Sequence, residues 1–272
     1  ASTTNLDPFL MSASIVSQLF QSQVQGFDLG LIEGNRGVFD GLDIHGSSST
    51  AELAKLLKAP VVLVVDCTKM TRTVAALVMG CAALDSELDL AGVIFNRTAG
   101  KRHRRILRES VEAYTDVPVL GSLPKISTDP IPERHMGLVS DQEYDAETAI
   151  DDLADLVKDN IDTDKMLDIA CSASPRQDVE PLNWPEAEND NAGVRIGVVR
   201  DAALWFYYPE NIQALQQAGA QIKEVSLLHK DEWPQIDALY LGGGFPETQA
   251  EALSENLQVR RQVFNLACNG LP

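Results

Sequence analysis

Two places in this sequence combine residue types and spacings that could do chemistry: an acidic side chain at the end of an apolar run, and three consecutive glycines much further on. In the first, Phe27-Asp-Leu-Gly-Leu-Ile-Glu-Gly-Asn-Arg-Gly-Val-Phe-Asp-Gly41, a strand-like run delivers Glu33 into a glycine-spaced loop. At the carboxyl end of a strand in an open α/β sheet, such a carboxylate can meet a metal ion, and the glycines let backbone approach a phosphate closely. An ordinary strand and turn is the competing reading, because Gly and Asn are common turn residues. In the second, Ala238-Leu-Tyr-Leu-Gly-Gly-Gly-Phe-Pro-Glu247, three glycines after a strand expose backbone N–H groups that can form an oxyanion hole or anion cradle. A flexible turn is the alternative there.

The elements that must position these residues follow from periodicity. Short apolar, β-branched runs occur at Phe27 to Glu33, Val61 to Asp66, Leu90 to Asn96, Val117 to Leu120, Val194 to Arg200 and Ala238 to Leu241. Between them Ser12 to Gln23, Thr50 to Lys58, Thr71 to Leu84 and His103 to Tyr114 carry apolar residues at three- and four-residue spacing, which predicts crossover helices. Strands alternating with helices predict parallel βαβ units, and strands apolar throughout predict burial on both faces. From Asp162 to Asn191 the composition turns to Ser, Pro, Asn, Asp and Glu with little periodicity, which predicts a linker. A second α/β unit then opens at Val194, with a helix from Glu210 to Gln217 closing at Gly219. The expected division is a first domain over 1–161, a linker over 162–192 and a second domain over 193–272.

Composition narrows the function classes. The 272 residues include 40 acidic against 22 basic, a formal net charge of −18, which disfavours general nucleic-acid or anionic-membrane binding. Cys67, Cys81, Cys171 and Cys268 form no CxxC pair, so neither a disulfide framework nor a zinc site is expected, and a reducing cytoplasm fits best. No stretch approaches the roughly 20 apolar residues that span a bilayer, and no signal-peptide pattern opens the chain.

Taken in order, nine segments carry a resemblance to a known family: Asn5-Leu-Asp-Pro8, Ile32-Glu-Gly-Asn-Arg-Gly-Val-Phe-Asp-Gly41, Ser49-Thr-Ala-Glu-Leu-Ala-Lys55, Ala59-Pro-Val-Val-Leu-Val-Val-Asp66, Leu90-Ala-Gly-Val-Ile-Phe-Asn-Arg97, Pro118-Val-Leu-Gly121, Leu123-Pro124, Pro132-Glu-Arg-His-Met-Gly-Leu138 and Gly242-Gly-Gly-Phe-Pro-Glu247. Over nearly the whole chain the sequence resembles cobyrinate a,c-diamide synthase. The resemblance implies a P-loop-NTPase-like, dethiobiotin-synthetase-like parallel-sheet domain followed by part of a flavodoxin-like class I glutamine amidotransferase domain. It implies a ligase of cobalamin biosynthesis: ATP activates a carboxylate of a corrinoid precursor as an acyl phosphate, and ammonia from glutamine converts it to the amide. The implied cofactors are ATP and Mg²⁺, the implied partners small molecules, with no nucleic acid or membrane, and a homodimer is admitted.

Residue by residue, Glu33 is similar to the family's Mg²⁺-facing carboxylate, with Gly34 and Gly37 keeping the loop close to nucleotide or substrate. Asp40 sits in the family's Phe/Tyr-Asp-Gly motif, facing metal or acceptor carboxylate, with a solvated turn Asp as the alternative. Asn35 and Arg36 stand where family members often have apolar residues. Asn96 is similar to a residue that hydrogen-bonds adenine in related domains, or is a strand-end cap, and Pro124 to one packing against the base. Asn5 and Asp7 lie in a segment similar to the corrinoid-facing loop, alternatively a helix N-cap and first turn. Gly243 and Gly244 are the oxyanion-side candidates. His135 is expected to be a structural hydrogen-bonder and Glu133 a nucleotide-side candidate. The basic run Arg97, Lys101, Arg102, Arg104, Arg105 and Arg108 holds an anionic ligand or is a solvated helix face.

Two absences qualify this picture. The sequence contains no Gly-x-x-x-x-Gly-Lys-Ser/Thr loop, on which phosphate cradling in this fold depends. Cys268 lies where the helical pattern from Glu255 to Leu266 continues, not at the sharp strand-to-helix turn that presents a nucleophile, so it is not read as catalytic. The expectation is an internal stretch of a longer synthase, cut at both ends, that alone neither binds ATP tightly nor hydrolyses glutamine. The related synthase that amidates nickel sirohydrochlorin shares most of these motifs, and a non-catalytic nucleotide- or partner-binding module is the alternative from another class. Cobyric acid synthase is disfavoured by the Gly-Gly-Gly-Phe-Pro-Glu segment.

Overall fold

The computed structural model describes residues 4–127, 146–173, 182, 193–229 and 232–271. Contacts divide the chain into two units, one built chiefly from Leu6–Pro130 with Glu147–Leu182, the other chiefly from Asn183–Pro272. Both are α/β with parallel strands, as the sequence predicts.

In the first unit α1 (Ala13–Val24) and α2 (Thr50–Leu57) precede β1 (Val61–Asp66), α3 (Thr73–Leu84), β2 (Leu90–Thr98), α4 (Lys101–Tyr114) and β3 (Val119–Pro124), followed by α5 (Ala146–Asn160) and α6 (Thr163–Ser172). Ser12 and Ser49 cap α1 and α2, their hydroxyls accepting from the N–H of Ile15 and Glu52 and so satisfying donors that a helix start leaves open. The strands pair in parallel in the order β1-β2-β3. One sheet face buries Val65, Val93, Phe95 and Val119 against Val74 and Val78 of α3 and Leu107 and Val111 of α4. The other face sets Ile94 and Leu120 against Ile161, with Met166 and Ile169 of α6 beside them.

Two expectations change. Phe27 to Glu33 forms no strand, because no described strand lies alongside to complete a ladder. Leu31 is 86 % exposed, and Ile32 packs instead with Val16, Leu53 and Leu57 of α1 and α2. Where the sequence reads a linker from 162, α6 begins. Asp162 caps it by accepting from the Lys165 N–H at 3.1 Å, and Met166 and Ile169 anchor it on the sheet.

The second unit runs β4 (Arg195–Val199), β5 (Leu204–Phe206), α7 (Pro209–Gln217), β6 (Gln221–Val225), β7 (Ala238–Tyr240), β8 (Gly243–Gly244), α8 (Ala250–Glu255) and α9 (Leu257–Cys268). Gly219, at φ +94°, supplies the left-handed residue that ends α7. The parallel order is β6-β4-β7, so the chain leaves β4 to one side and returns to its other side. That reversal makes the carboxyl ends of β4 and β7 a topological switch point, where open α/β sheets place ligands. β5 and β8, in the connections that leave those two ends, pair antiparallel above them. Cys268 closes α9, in the helical setting expected of it.

Candidate functional site

At the carboxyl edge of the first sheet, Asp66 and Asn96 are register partners. The Asp66 carboxylate accepts from the Thr68 N–H at 2.8 Å and lies 3.4 Å from the Arg97 guanidinium. The Thr68 bonds, with Arg97 adding to them, hold its carboxyl below the usual range. Asn96 turns its amide oxygen onto the Arg97 N–H at 2.8 Å, at a residue in the left-handed region with φ +53°. Pro124 is held beside this edge because Thr98, its register partner, donates to the Leu123 carbonyl at 2.9 Å. His103 braces the same rim: its Nδ1 accepts from the Ala99 N–H at 2.9 Å, which leaves the proton on Nε2 for the Met70 carbonyl. Cys67 is fully buried below, and burial pushes its thiol up to about 11.

The loop from Glu33 to Gly46 is closely hydrogen-bonded. Glu33 is exposed in non-strand backbone. Gly34 abuts Thr50, whose methyl would lie 2.7 Å from an added Cβ. The Asp40 carboxylate accepts from the Gly37 N–H at 3.1 Å, so it closes its own turn. In the Asn5 segment, Asp7 accepts from the N–H of Phe9 and Leu10 at 2.9 and 3.1 Å, capping a turn separate from α1, whose cap is Ser12; Asn5 is exposed. Of the basic run, Arg105 and Arg108 pair with Glu109 and Glu112 one turn on, Arg104 reaches Asn160, and Arg97 reaches Asp66. The pairs of Arg105 and Arg108 are the one-turn ion pairs of a helix face. His135 and Glu133 lie outside the described residues. Among the described residues no three His, Cys, Asp or Glu side chains gather to hold a metal, and no helix is long and apolar enough to cross a membrane.

In the second unit the glycine bend sits at the switch point. Gly243 and Gly244 pair with Phe206 and Leu204. A Cβ on Gly244 would lie 2.1 Å from the Ala203 carbonyl oxygen, and one on Gly242 would lie 2.5 Å from the Tyr207 ring. Glycine is therefore required here by close backbone approach. Phe206 stacks edge-on against Trp205 and Phe245. Beneath the bend the buried carboxylate of Asp201 accepts from the N–H of Ala203, Leu204 and Leu227 at 2.9, 3.1 and 2.7 Å and from the Ser226 hydroxyl at 3.0 Å. Asn256, the buried cap of α9, donates to the carbonyls of Leu227 and His229. An apolar cleft lined by Leu227, Leu241, Leu253, Val263 and Phe264 borders the bend at Leu241 only, so it offers the glycine amides no wall.

The sequence reading missed Tyr207 and Asp201. The run Trp205-Phe-Tyr-Tyr208 before Pro209 was the available signal for the first; an Asp just after a strand was the signal for the second.

Comparison with known proteins matches residues 11–128 to a family described as an AAA domain and residues 195–272 to one described as a CobB/CobQ-like glutamine amidotransferase domain. Proteins named cobyrinate a,c-diamide synthase are similar to this chain over 98 % of its length: 38 % identical in Magnetococcus marinus, 40 % in Listeria monocytogenes and 37 % in Archaeoglobus fulgidus. The chain spans 58 to 59 % of the length of these relatives. No solved structure matches it.

Proposed function

We propose that the chain is part of a cobyrinate a,c-diamide synthase and that the whole protein amidates the a and c side-chain carboxylates of cobyrinate, using ATP and glutamine. What carries this reading is a match that runs through both units in one order, over 98 % of the chain. The carboxylate is activated as an acyl phosphate, and ammonia released from glutamine displaces phosphate to leave the amide. We place the reaction in the cytoplasm, with glutamine and the corrinoid as small-molecule partners and a homodimer as the assembly to test for.

In this reading Glu33 is the Mg²⁺ ligand and Gly34 keeps the loop close to nucleotide. An exposed carboxylate fits that ion, because nucleotide-bound Mg²⁺ keeps waters and takes one or two carboxylates besides the phosphates. Mg²⁺ there would neutralise charge on the transferred phosphoryl group. Asn96 and Pro124 face the base, Asp40 the acceptor carboxylate, and Asn5 and Asp7 the corrinoid. No phosphate cradle is assigned, since the sequence holds no Gly-x-x-x-x-Gly-Lys-Ser/Thr loop. In the second unit the amides of Gly243 and Gly244 polarise the glutamine carbonyl.

The test incubates the whole protein with cobyrinate, MgATP and glutamine and reads amide formation by mass spectrometry. Two carboxylates become amides with the wild type, and Glu33→Gln loses most of the ATP-dependent step. ATP binding without any amide would favour a non-catalytic nucleotide module instead. The nickel-sirohydrochlorin alternative is not favoured, because the relatives compared above are named for cobyrinate.

A further inference from the structure

Tyr207 stands on the connection that leaves β4, yet its hydroxyl joins the carboxyl ends of two strands. It donates to the carbonyl of Val199, the last residue of β4, and accepts from the N–H of Gly242 at 2.8 Å. The carbonyl of Tyr240, the last residue of β7, lies 3.4 Å away. Its ring meets Tyr240 edge-on at 5.2 Å and 89° and fills the space that a Cβ on Gly242 would take. Burial pushes the phenol above its ordinary value, so the hydroxyl keeps the proton that Val199 accepts. Its hydroxyl thus ties the backbone at the end of β4 to the backbone where β7 runs out into the glycines.

From this geometry we propose that Tyr207 is the positioning residue of the glycine bend: it takes the Gly242 amide out of the donor set and fixes the backbone that aims the Gly243 and Gly244 amides. This rests on the reading above, in which those two amides serve the glutamine half-reaction. A donor must already point where negative charge develops, since a donor that has to reorient during reaction stabilises the transition state less. With the hydroxyl gone, the Gly242 N–H loses its acceptor, and the bend keeps the short β5–β8 pairing and the Phe206–Phe245 contact. Those amides act on charge that develops only in the transition state, so ground-state affinity for glutamine is expected to change little while turnover falls.

Tyr207→Phe removes the hydroxyl and keeps the ring. Hydrogen exchange of this chain, followed residue by residue, is expected to show the Gly242 amide exchanging about 10-fold faster or more, with the Val198 amide unchanged. In the whole protein, kcat for glutamine hydrolysis is expected to fall on the order of 10-fold or more per folded molecule, with KM for glutamine little altered. Gly242→Ala displaces the bend by a different route and is expected to give the same division between kcat and KM. Near-UV circular dichroism measures the folded fraction, so a variant that merely folds less keeps its kcat per folded molecule. An unchanged Gly242 amide, or a freed amide with unchanged kcat, overturns the proposal. If the wild-type whole protein hydrolyses no glutamine, the glutaminase reading fails and takes the positioning role with it. The exchange measurement needs no turnover, so it separates that failure from a wrong hydrogen bond.

Discussion

At the scale of single residues, the strongest constraints lie in the second unit, and they couple positions far apart in sequence. Asp201 satisfies four donors from two connections while buried, so Asp201→Ala leaves those donors facing a void. We expect a loss of about 3 kcal/mol or more, read as a lower urea midpoint at unchanged slope. Arg195 and Asp237 clamp the amino ends of β4 and β7 with two side-chain bonds of 2.9 and 2.7 Å and a backbone bond of 2.9 Å. The Arg195 guanidinium holds the Asp237 carboxyl down at about 2. Because the folded value lies below the unfolded one, about 4, the pair's contribution is complete above that unfolded value. It is lost as pH falls through about 2. Thermal melts of wild type and Asp237→Asn should therefore differ near neutrality and converge as the solution is acidified; a constant gap would refute the linkage. Which groups Asp201 and Asp237 hold was not legible in the sequence, since Ser226 and Arg195 lie 25 and 42 positions away from them. The triple glycine was legible, because no other residue type gives that run a reason. Its anchoring tyrosine was not, being one of the four consecutive aromatics Trp205 to Tyr208.

At the scale of elements, the parallel strands were readable because burial on both faces demands continuous apolar runs, as in Val61–Asp66 and Leu90–Thr98. The same signal misleads at Phe27 to Glu33, where an apolar run has no described strand beside it, and no local pattern reveals which runs find a neighbour. β5 and β8 escape notice for the opposite reason: at three and two residues they are too short to show alternation. α6 hides at the start of an acidic stretch because two apolar residues, Met166 and Ile169, suffice to dock it. Its entry depends on Gly121 of β3, where an added Cβ would sit 2.4 Å from the Asn160 carbonyl oxygen. Gly121→Ala must push the α5–α6 junction off the strand, and we expect a loss of about 1–3 kcal/mol. Amide exchange should quicken across α6 while β1 stays protected; equal protection of α6 would show that the junction relaxes freely.

At the scale of the whole molecule, the surplus of acidic residues acts on every compact state at once. A net charge of −18 repels itself, so raising ionic strength from about 10 mM to about 150 mM, which shortens the screening length from roughly 30 to 8 Å, should raise the melting temperature. A melting point that falls with salt would mean that attractive pairs dominate instead. Local pairs such as Lys55 with Asp85 at 2.7 Å are the exceptions that salt weakens. Lastly, the interior thiol under the first sheet's rim turns this fold into its own clock. Aromatic disulfide reagents should modify the surface sulfurs of Cys171 and Cys268 first and the half-buried Cys81 after them, whereas Cys67 waits for the sheet to open. The slow phase of such a labelling trace would then time the opening of one unit without any added probe.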